Sequence, residues 1–271
     1  MNIYSQNGED LVLSTLLPKK RGFYVDVGAN LPDRDSVTLA FYEKGWRGIN
    51  IEPITSLYDL YNSARPRDIN LNMGVSDKNG SLNLREYSGD FHGWSSFSPS
   101  IQNHPTRLEK DYKEYKVKVR TLKSIFKEHK VKQIDFLKVD VEGLEYEVLS
   151  SNDWGKWRPS VIVIENSEGK WYDYIIKQGY EMIFFDSLNY YFALPELHSE
   201  QILKDIFESV IEDERAVADD LQKQILEITK KLEIVMSNPH DHISNKVLLK
   251  SVYTQLHRKL RQPLSRSKIS I

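Results

Sequence analysis

Five short, nearly uninterrupted apolar runs constrain this chain most. They are "FYVDVG" (23–28), "RGINIEP" (47–53), "NLNMGVSD" (70–77), "IDFLKVDVEG" (134–143) and "SVIVIENS" (160–167). Runs rich in Val, Ile and Phe, apolar on both alternating faces, belong to strands buried on both sides, as in a parallel sheet. Parallel strands need crossover connections, and the intervening segments supply helices. "SVTLAFYEKGW" (36–46) has Val37, Ala40 and Phe41 at helical spacing, with Gly45 placed to end the helix. "SLYDLYNSAR" (56–65) fills the next gap and "EGLEYEVLSS" (142–151) follows the fourth run. Strand, helix, strand, repeated, predicts a doubly wound α/β domain. "GYEMIFFDSLNYYFAL" (179–194) predicts two strands around the turn at Asp186–Asn189, an antiparallel hairpin at the sheet edge.

From Glu196 the pattern changes. Glycine disappears, and prolines occur only at Pro239 and Pro263. Residues 196–236 predict a long helix with two heptad-like apolar stripes, Leu203 to Val217 and Leu221 to Val235, shifted against each other as in a coiled coil or a helical hairpin. A second amphipathic helix carries Leu249, Val252, Leu256 and Leu260. Residues 196–241 hold twelve acids against five Lys or Arg, whereas 242–271 hold seven Lys or Arg and no acid. That asymmetry predicts pairing within one chain or a homodimer, or a basic end resting on an anionic membrane surface. The expected division is therefore a domain over 1–195 and a helical tail over 196–271.

Composition excludes several classes. There are no cysteines among the 271 residues, so disulfide scaffolds, thiolate metal sites and cysteine nucleophiles are ruled out, which suits a reducing compartment. The formal net charge of −2 offers no global field for nucleic acid. The amino-terminal residues lack a basic, signal-like start, and no apolar run approaches the roughly 18 residues that span a bilayer. A cytoplasmic protein is expected.

Ligands of doubly wound sheets bind at the carboxyl ends of the strands, where strand order reverses. Asp26, Gly28 and Asn30 end the first run, and Glu52 ends the second. An acid at that place can take both ribose hydroxyls of a nucleoside-like cofactor, either a dinucleotide or S-adenosylmethionine (SAM). A dinucleotide needs close-approach glycines and a phosphate partner. Here Gly28 is followed by Asn30 and Leu31-Pro32-Asp33, with no basic residue before Arg34. SAM carries no phosphate and tolerates that sequence.

Together, "YSQNGEDLVL" (4–13), "FYVDVGAN" (23–30), "GINIEP" (48–53), "GVSD" (74–77) and "IDFLKVDVEGLEYEVL" (134–149) resemble the FkbM family of SAM-dependent methyltransferases. The resemblance covers about residues 3 to 195. It implies the class I methyltransferase fold, a Rossmann-like seven-stranded sheet ending in an antiparallel hairpin. It also implies methyl transfer to a hydroxyl, often of a sugar in a glycan or metabolite. Carried onto this chain, it puts Asp26, Gly28 and Asn30 at the methionine end of SAM, Glu52 on the ribose, and Val75, Ser76 and Asp77 near adenine. Gln6, Glu9 and Asp10 would cover the cofactor.

The chemistry is expected beyond the fourth and fifth runs. Asp140 ends one, and Glu165 with Asn166 ends the next. Adjacent parallel strands bring these together as an all-oxygen set suited to a hard divalent cation, above all Mg²⁺. The pattern resembles the metal sites of catechol and sugar O-methyltransferases, with Glu replacing a second Asp. Those enzymes often carry a Lys or His three residues after the first metal Asp; here that place is Gly143. The general base is therefore sought in Glu142, or in His92 of the Gly-, Ser- and aromatic-rich loop "GDFHGWSSFS" (89–98). Trp94 and Phe97 of that loop suit a sugar face. Two other readings compete: a nucleotide-binding α/β oxidoreductase, and a scaffold with a degenerate methyltransferase domain.

Overall fold

The computed structural model describes residues 2–230, apart from 167–169, 198–200 and scattered positions between 202 and 229. Seven strands form the main sheet: β1 (Phe23–Val27), β2 (Arg47–Ile51), β3 (Ile69–Leu71), β7 (Phe136–Val139), β8 (Val161–Glu165), β9 (Glu181–Phe185) and β10 (Asn189–Ala193). Their order is β3-β2-β1-β7-β8-β10-β9. The first five strands run parallel, and β10 pairs antiparallel with both β8 and β9. The mostly parallel α/β sheet with an edge hairpin is what the apolar runs predict, and its seven strands are the number the resemblance implies.

Helices α1 (Glu9–Leu16), α2 (Leu39–Glu43), α3 (Thr55–Ala64), α6 (Leu122–Glu128), α7 (Glu145–Ser150) and α8 (Trp171–Lys177) flank the strands. One continuous cluster joins Val25, Val27, Ile49, Leu137, Val139, Ile162 and Ile164 of the strands to Ile125, Phe126, Val148 and Ile175 of the helices, all buried. Burying each such side chain contributes about 1.5–3 kcal/mol. Because the strand positions alternate, they share one face of the sheet, which α6, α7 and α8 cover. On the other face the rings of Tyr24 and Phe136 stack, and Phe136 packs against Phe41 and Trp46. The hairpin turn is made by Asp186, whose Oδ1 accepts the N–H groups of Leu188 (2.9 Å) and Asn189 (2.6 Å).

Two expectations are corrected. The run 70–77 is not one strand. β3 ends at Leu71, and Gly74–Val75 forms β4 in a second sheet with β5 (Gly80–Tyr87) and β6 (Tyr112–Arg120), in the order β4-β6-β5. Asn72 makes the break, its amide donating to the carbonyls of Glu52 and Pro53, each at 3.0 Å. The stretch between β3 and β7 is also more than a loop. β5 and β6 pair antiparallel along their whole length. Between them lie a 3₁₀ turn, Gly89–Trp94, and two one-turn helices, α4 (Pro99–Gln102) and α5 (Pro105–Leu108). The signal was the alternation in "YKVKVR", where Val117 and Val119 are buried between exposed lysines.

The chain divides into two compact units, Met1–Lys204 and Asp205–Ile271. Every described residue from 201 to 230 is helical, as expected for the first tail helix, but nothing supports coiled-coil packing. The second tail helix and its basic end fall outside the described residues. Among the described residues, no helix is long and apolar enough to cross a membrane.

Candidate active site

Strand order reverses between β1 and β7, and the chain there turns outward at Gly28. Gly28 lies at φ +81°, and a Cβ on it would stand 1.7 Å from the Asp140 carbonyl oxygen. Any other residue would push the two strand ends apart, so glycine is required. The N–H groups of Gly28 and Ala29 both donate to the Ile51 carbonyl, tying the turn to β2. Asn30, also left-handed at φ +55°, donates its N–H to Glu52 Oε2 at 2.8 Å. Its side-chain oxygen is buried and has no hydrogen-bond partner in the structure.

Glu52 is buried, and its second oxygen accepts the Ile54 N–H at 2.8 Å. Burial pushes its carboxyl up to about 7, against the pull of the two N–H donors. Asp26 is wholly buried in mid-sheet. Burial raises its pKa, and Lys138 opposes the rise. Lys138 pairs in register with Asp26 across β1 and β7, its ammonium 3.6 Å from Asp26 Oδ1 and 3.1 Å from Asp140 Oδ2. Burial would drive that ammonium toward the neutral amine, but Asp140 and Asp26 outweigh burial and raise its pKa. Lys138 is thus placed as the common counter-ion of the two carboxylates.

Asp140, Glu142 and Glu165 bring carboxylate oxygens within 4.8 Å of one another. Asp140 and Glu165 were expected together; Glu142, expected only as a base, joins them. Asn166 follows directly and is exposed. Burial, then the neighbouring Asp140 and Glu142 charges, push the Glu165 carboxyl well above its usual range. Glu142 is pushed up to about 7, first by burial, partly offset by Arg107. Arg107, from α5, donates to Glu142 Oε2 at 2.7 Å and to the Trp94 carbonyl at 2.5 Å. It therefore ties the inserted sheet to the loop after β7, as does Ser96, whose hydroxyl donates to the Glu142 carbonyl at 2.6 Å.

The inserted 3₁₀ turn comes against this site: Gly93 lies beside the Asn30 amide, and half-buried His92 precedes it. A family model described as the methyltransferase FkbM domain matches residues 26–185. The chain belongs to the FkbM methyltransferase family. The matched span runs from the carboxyl end of β1 through β9 and contains the inserted sheet and every carboxylate of the cluster. No curated protein matches the chain.

Other expected residues of this FkbM domain sit as follows. Val75 and Ser76 are buried at the end of β4, while Asp77 is exposed beside Lys78. Glu9 and Asp10 are buried and fully engaged. Glu9 accepts from Asn189 Nδ2 (2.9 Å) and the Asn7 N–H (2.8 Å), and Asp10 from the Tyr4 N–H (2.8 Å) and Ser5 Oγ (2.7 Å). Only Gln6 of that trio is exposed. Lys138, Arg107 and Arg65 were not foreseen. A lysine inside the apolar run "FLKVD" was the available signal, because a buried strand tolerates one only beside anions. Arg65 is fully buried and holds the loop after Asn30, donating to the Pro32 carbonyl (2.7 Å) and Ser36 Oγ (2.9 Å). Nothing in the spacing marked it.

Proposed function

We propose that the chain is a SAM-dependent O-methyltransferase acting on a hydroxyl, with a sugar of a glycan or glycosylated metabolite as acceptor. The observation that carries this reading is the family match, together with the meeting of Asp26, Gly28, Asn30 and Glu52 with three carboxylates at the strand switch point. The residues fit the cofactor. Asn30 Oδ1 is buried and lacks a partner, and the Glu52 carboxylate has lone pairs left for ribose hydroxyls after its two N–H donors. Asp26, Gly28 and Asn30 line the methionine end, Val75 to Asp77 the adenine end. Gln6 covers the site on a segment that Glu9 and Asp10 hold down.

SAM supplies a methyl group already activated by its sulfonium, so the protein has only to align the hydroxyl and remove its proton. Where no cation occupies the cluster, Glu142, with a pKa near neutrality, suits that proton. His92, on the inserted turn, is the alternative acceptor, and Trp94 with Phe97 offers stacking faces for a sugar. Asp140, Glu142 and Glu165, with Asn166 adjacent, would hold a hard divalent cation such as Mg²⁺, which lowers the pKa of a bound hydroxyl. Three crowded carboxylates favour such an ion, since without it one of them must stay protonated. Asp140 also pairs with Lys138, so Asp140→Asn removes charge from both the cluster and the sheet.

The test is incubation with isotopically labelled SAM and a glycan extract, with and without EDTA, read by mass spectrometry. A methylated hydroxyl, abolished reversibly by EDTA and by Asp140→Asn at nearly unchanged SAM affinity, is the expected result. Purification with bound NAD(P) and no affinity for SAM would overturn the methyltransfer reading; full activity in EDTA would overturn the cation alone and leave Glu142 or His92 as the base.

A further inference from the structure

The opposite end of the sheet carries a second, chemically different site. Two clefts of about 580 and 500 Å³ open at the amino ends of β1 and β2 and share Arg21, Gly22 and Phe23. The larger is lined by Lys19, Lys130 and Lys132 around an apolar floor of Phe23, Ile69 and Val131. Lys44, Arg47 and Arg67 line the other, with no acid. The one carboxylate in either lining, Asp135, is already bonded to Lys19 at 2.6 Å and to the Phe23 N–H at 2.7 Å. Arg21, Arg47, Lys130 and Lys132 are exposed and make no ion pair with any described residue. Such a concentration of unpaired cations, on a chain of net charge −2, creates a local field for anions that the chain as a whole lacks.

Two backbone details hold this arrangement in place. α6 closes at His129, and the next residue, Lys130, lies at φ +52°. Helices usually place glycine there because other residues are strained. The chain accepts a strained lysine, and that lysine lines the cleft. Gly22, at the centre of both clefts, is packed so tightly that a Cβ would come within 2.4 Å of the Trp46 ring. Gly22 and Trp46 thus fix the backbone between the clefts, while Arg21, Arg47, Lys130 and Lys132 stand exposed around it.

We propose that these joined clefts bind a small phosphorylated molecule bearing a di- or triphosphate, its phosphoryl groups gathered around Arg21 and its remainder on the Phe23, Ile69 and Val131 floor. Cations on both sides of Arg21 call for more than one anionic group, and guanidinium forks suit phosphate oxygens. The volumes match small-ligand pockets. A membrane surface fits less well, because the apolar residues here are recessed and not presented for insertion. The proposal stands apart from the methyl-transfer reading, since it uses none of that site's residues.

The test is calorimetry of the full chain with inorganic tripolyphosphate and with ATP at physiological ionic strength. Saturable binding of both is expected, with ATP the tighter. Affinity should fall about tenfold or more in the Arg21→Glu, Lys132→Glu double variant, while SAM affinity stays unchanged. Lys130→Gly relieves the strained backbone and removes one cation; it should hold or raise the melting temperature and weaken both ligands. No saturable binding, or affinities unmoved by these substitutions, overturns the proposal. So does retention only on anionic vesicles or a duplex oligonucleotide, which would assign the cations to a membrane or to nucleic acid.

Discussion

The two ends of the main sheet handle charge in opposite ways. At the carboxyl end, Asp26, Glu52, Glu142 and Glu165 are withdrawn from water and all have raised pKa values. They persist only because backbone N–H groups, Lys138 and Arg107 receive them. At the amino end, Arg21, Arg47, Lys130 and Lys132 stand exposed and cost the fold little. Buried charge must be built into a tertiary arrangement, whereas exposed charge can be carried by nearly any scaffold. The contrast predicts large effects from changes at the first end and small ones at the second.

Lys138→Met should be the most damaging. It leaves Asp26 and Asp140 without their common counter-ion in the sheet, a loss of about 3–5 kcal/mol by analogy with broken buried pairs. Urea denaturation at neutral pH measures it. The deficit should shrink as pH is lowered, since Asp26, its pKa raised, takes up a proton more readily than a free aspartate. An equal deficit at the lower pH would mean that lost packing, not charge, is responsible.

Glu52→Ala comes next. It should weaken SAM binding by roughly 1.5–3 kcal/mol, through the lost charge-assisted bonds to the ribose. Part of that loss runs through Asn30, whose N–H is released by the substitution. Calorimetry showing unchanged affinity would remove Glu52 from the cofactor site.

A graded effect, spread over a pH range and not set by one substitution, follows from the raised carboxyls. Glu52 and Glu142 sit near 7 in the folded chain against an ordinary 4.5. Between those values the folded state holds more protons than the unfolded one, so stability falls as pH rises from about 4.5 to 7. At about 1.4 kcal/mol per pH unit, two carboxyls each displaced from 4.5 to about 7 together move the ligand-free protein by at most about 7 kcal/mol. Melting temperatures across that window check the sign. Added Mg²⁺ should flatten the decline if the three carboxylates hold it, because the ion then stabilises their ionised forms. An unaltered slope in Mg²⁺ would argue that Lys138 and Arg107 are the cluster's only cations.

The smallest effect belongs to the amino end. Arg47→Gln should change stability by no more than about 0.5 kcal/mol, as exposed substitutions do. A larger loss, measured by the same denaturation, would show that this end is also part of the built framework and would blunt the contrast.

The order and type of the main elements were legible in the sequence. A strand buried on both faces must be apolar throughout, and that pattern marked β1, β2, β7, β8 and the β9–β10 hairpin. Asp26, Gly28, Glu52 and Asp140 stood out for the same reason, as polar or glycine positions closing apolar runs. The inserted sheet was harder to see. Its strands are half exposed, and its connections are single turns whose hydrogen bonds depend on packing against the loop after β7. The division of 70–77 between two sheets turned on one side chain, Asn72, bonding to carbonyls 20 and 19 residues away in sequence.

By itself, then, the sequence determined the parallel sheet, its terminal hairpin and the polar residues that end its strands, because hydrophobic periodicity and the steric freedom of glycine are local properties. Tertiary structure alone decided what those residues face. Only the pairing of β1 with β7 sets Lys138 between Asp26 and Asp140, and only the inserted sheet brings Arg107 to Glu142. It also decided that Glu9 and Asp10 are buried and bonded to Asn189, Asn7, Tyr4 and Ser5, which fastens the amino-terminal segment. Burial and neighbouring charge set the protonation of a carboxylate, and both come from residues distant in the chain.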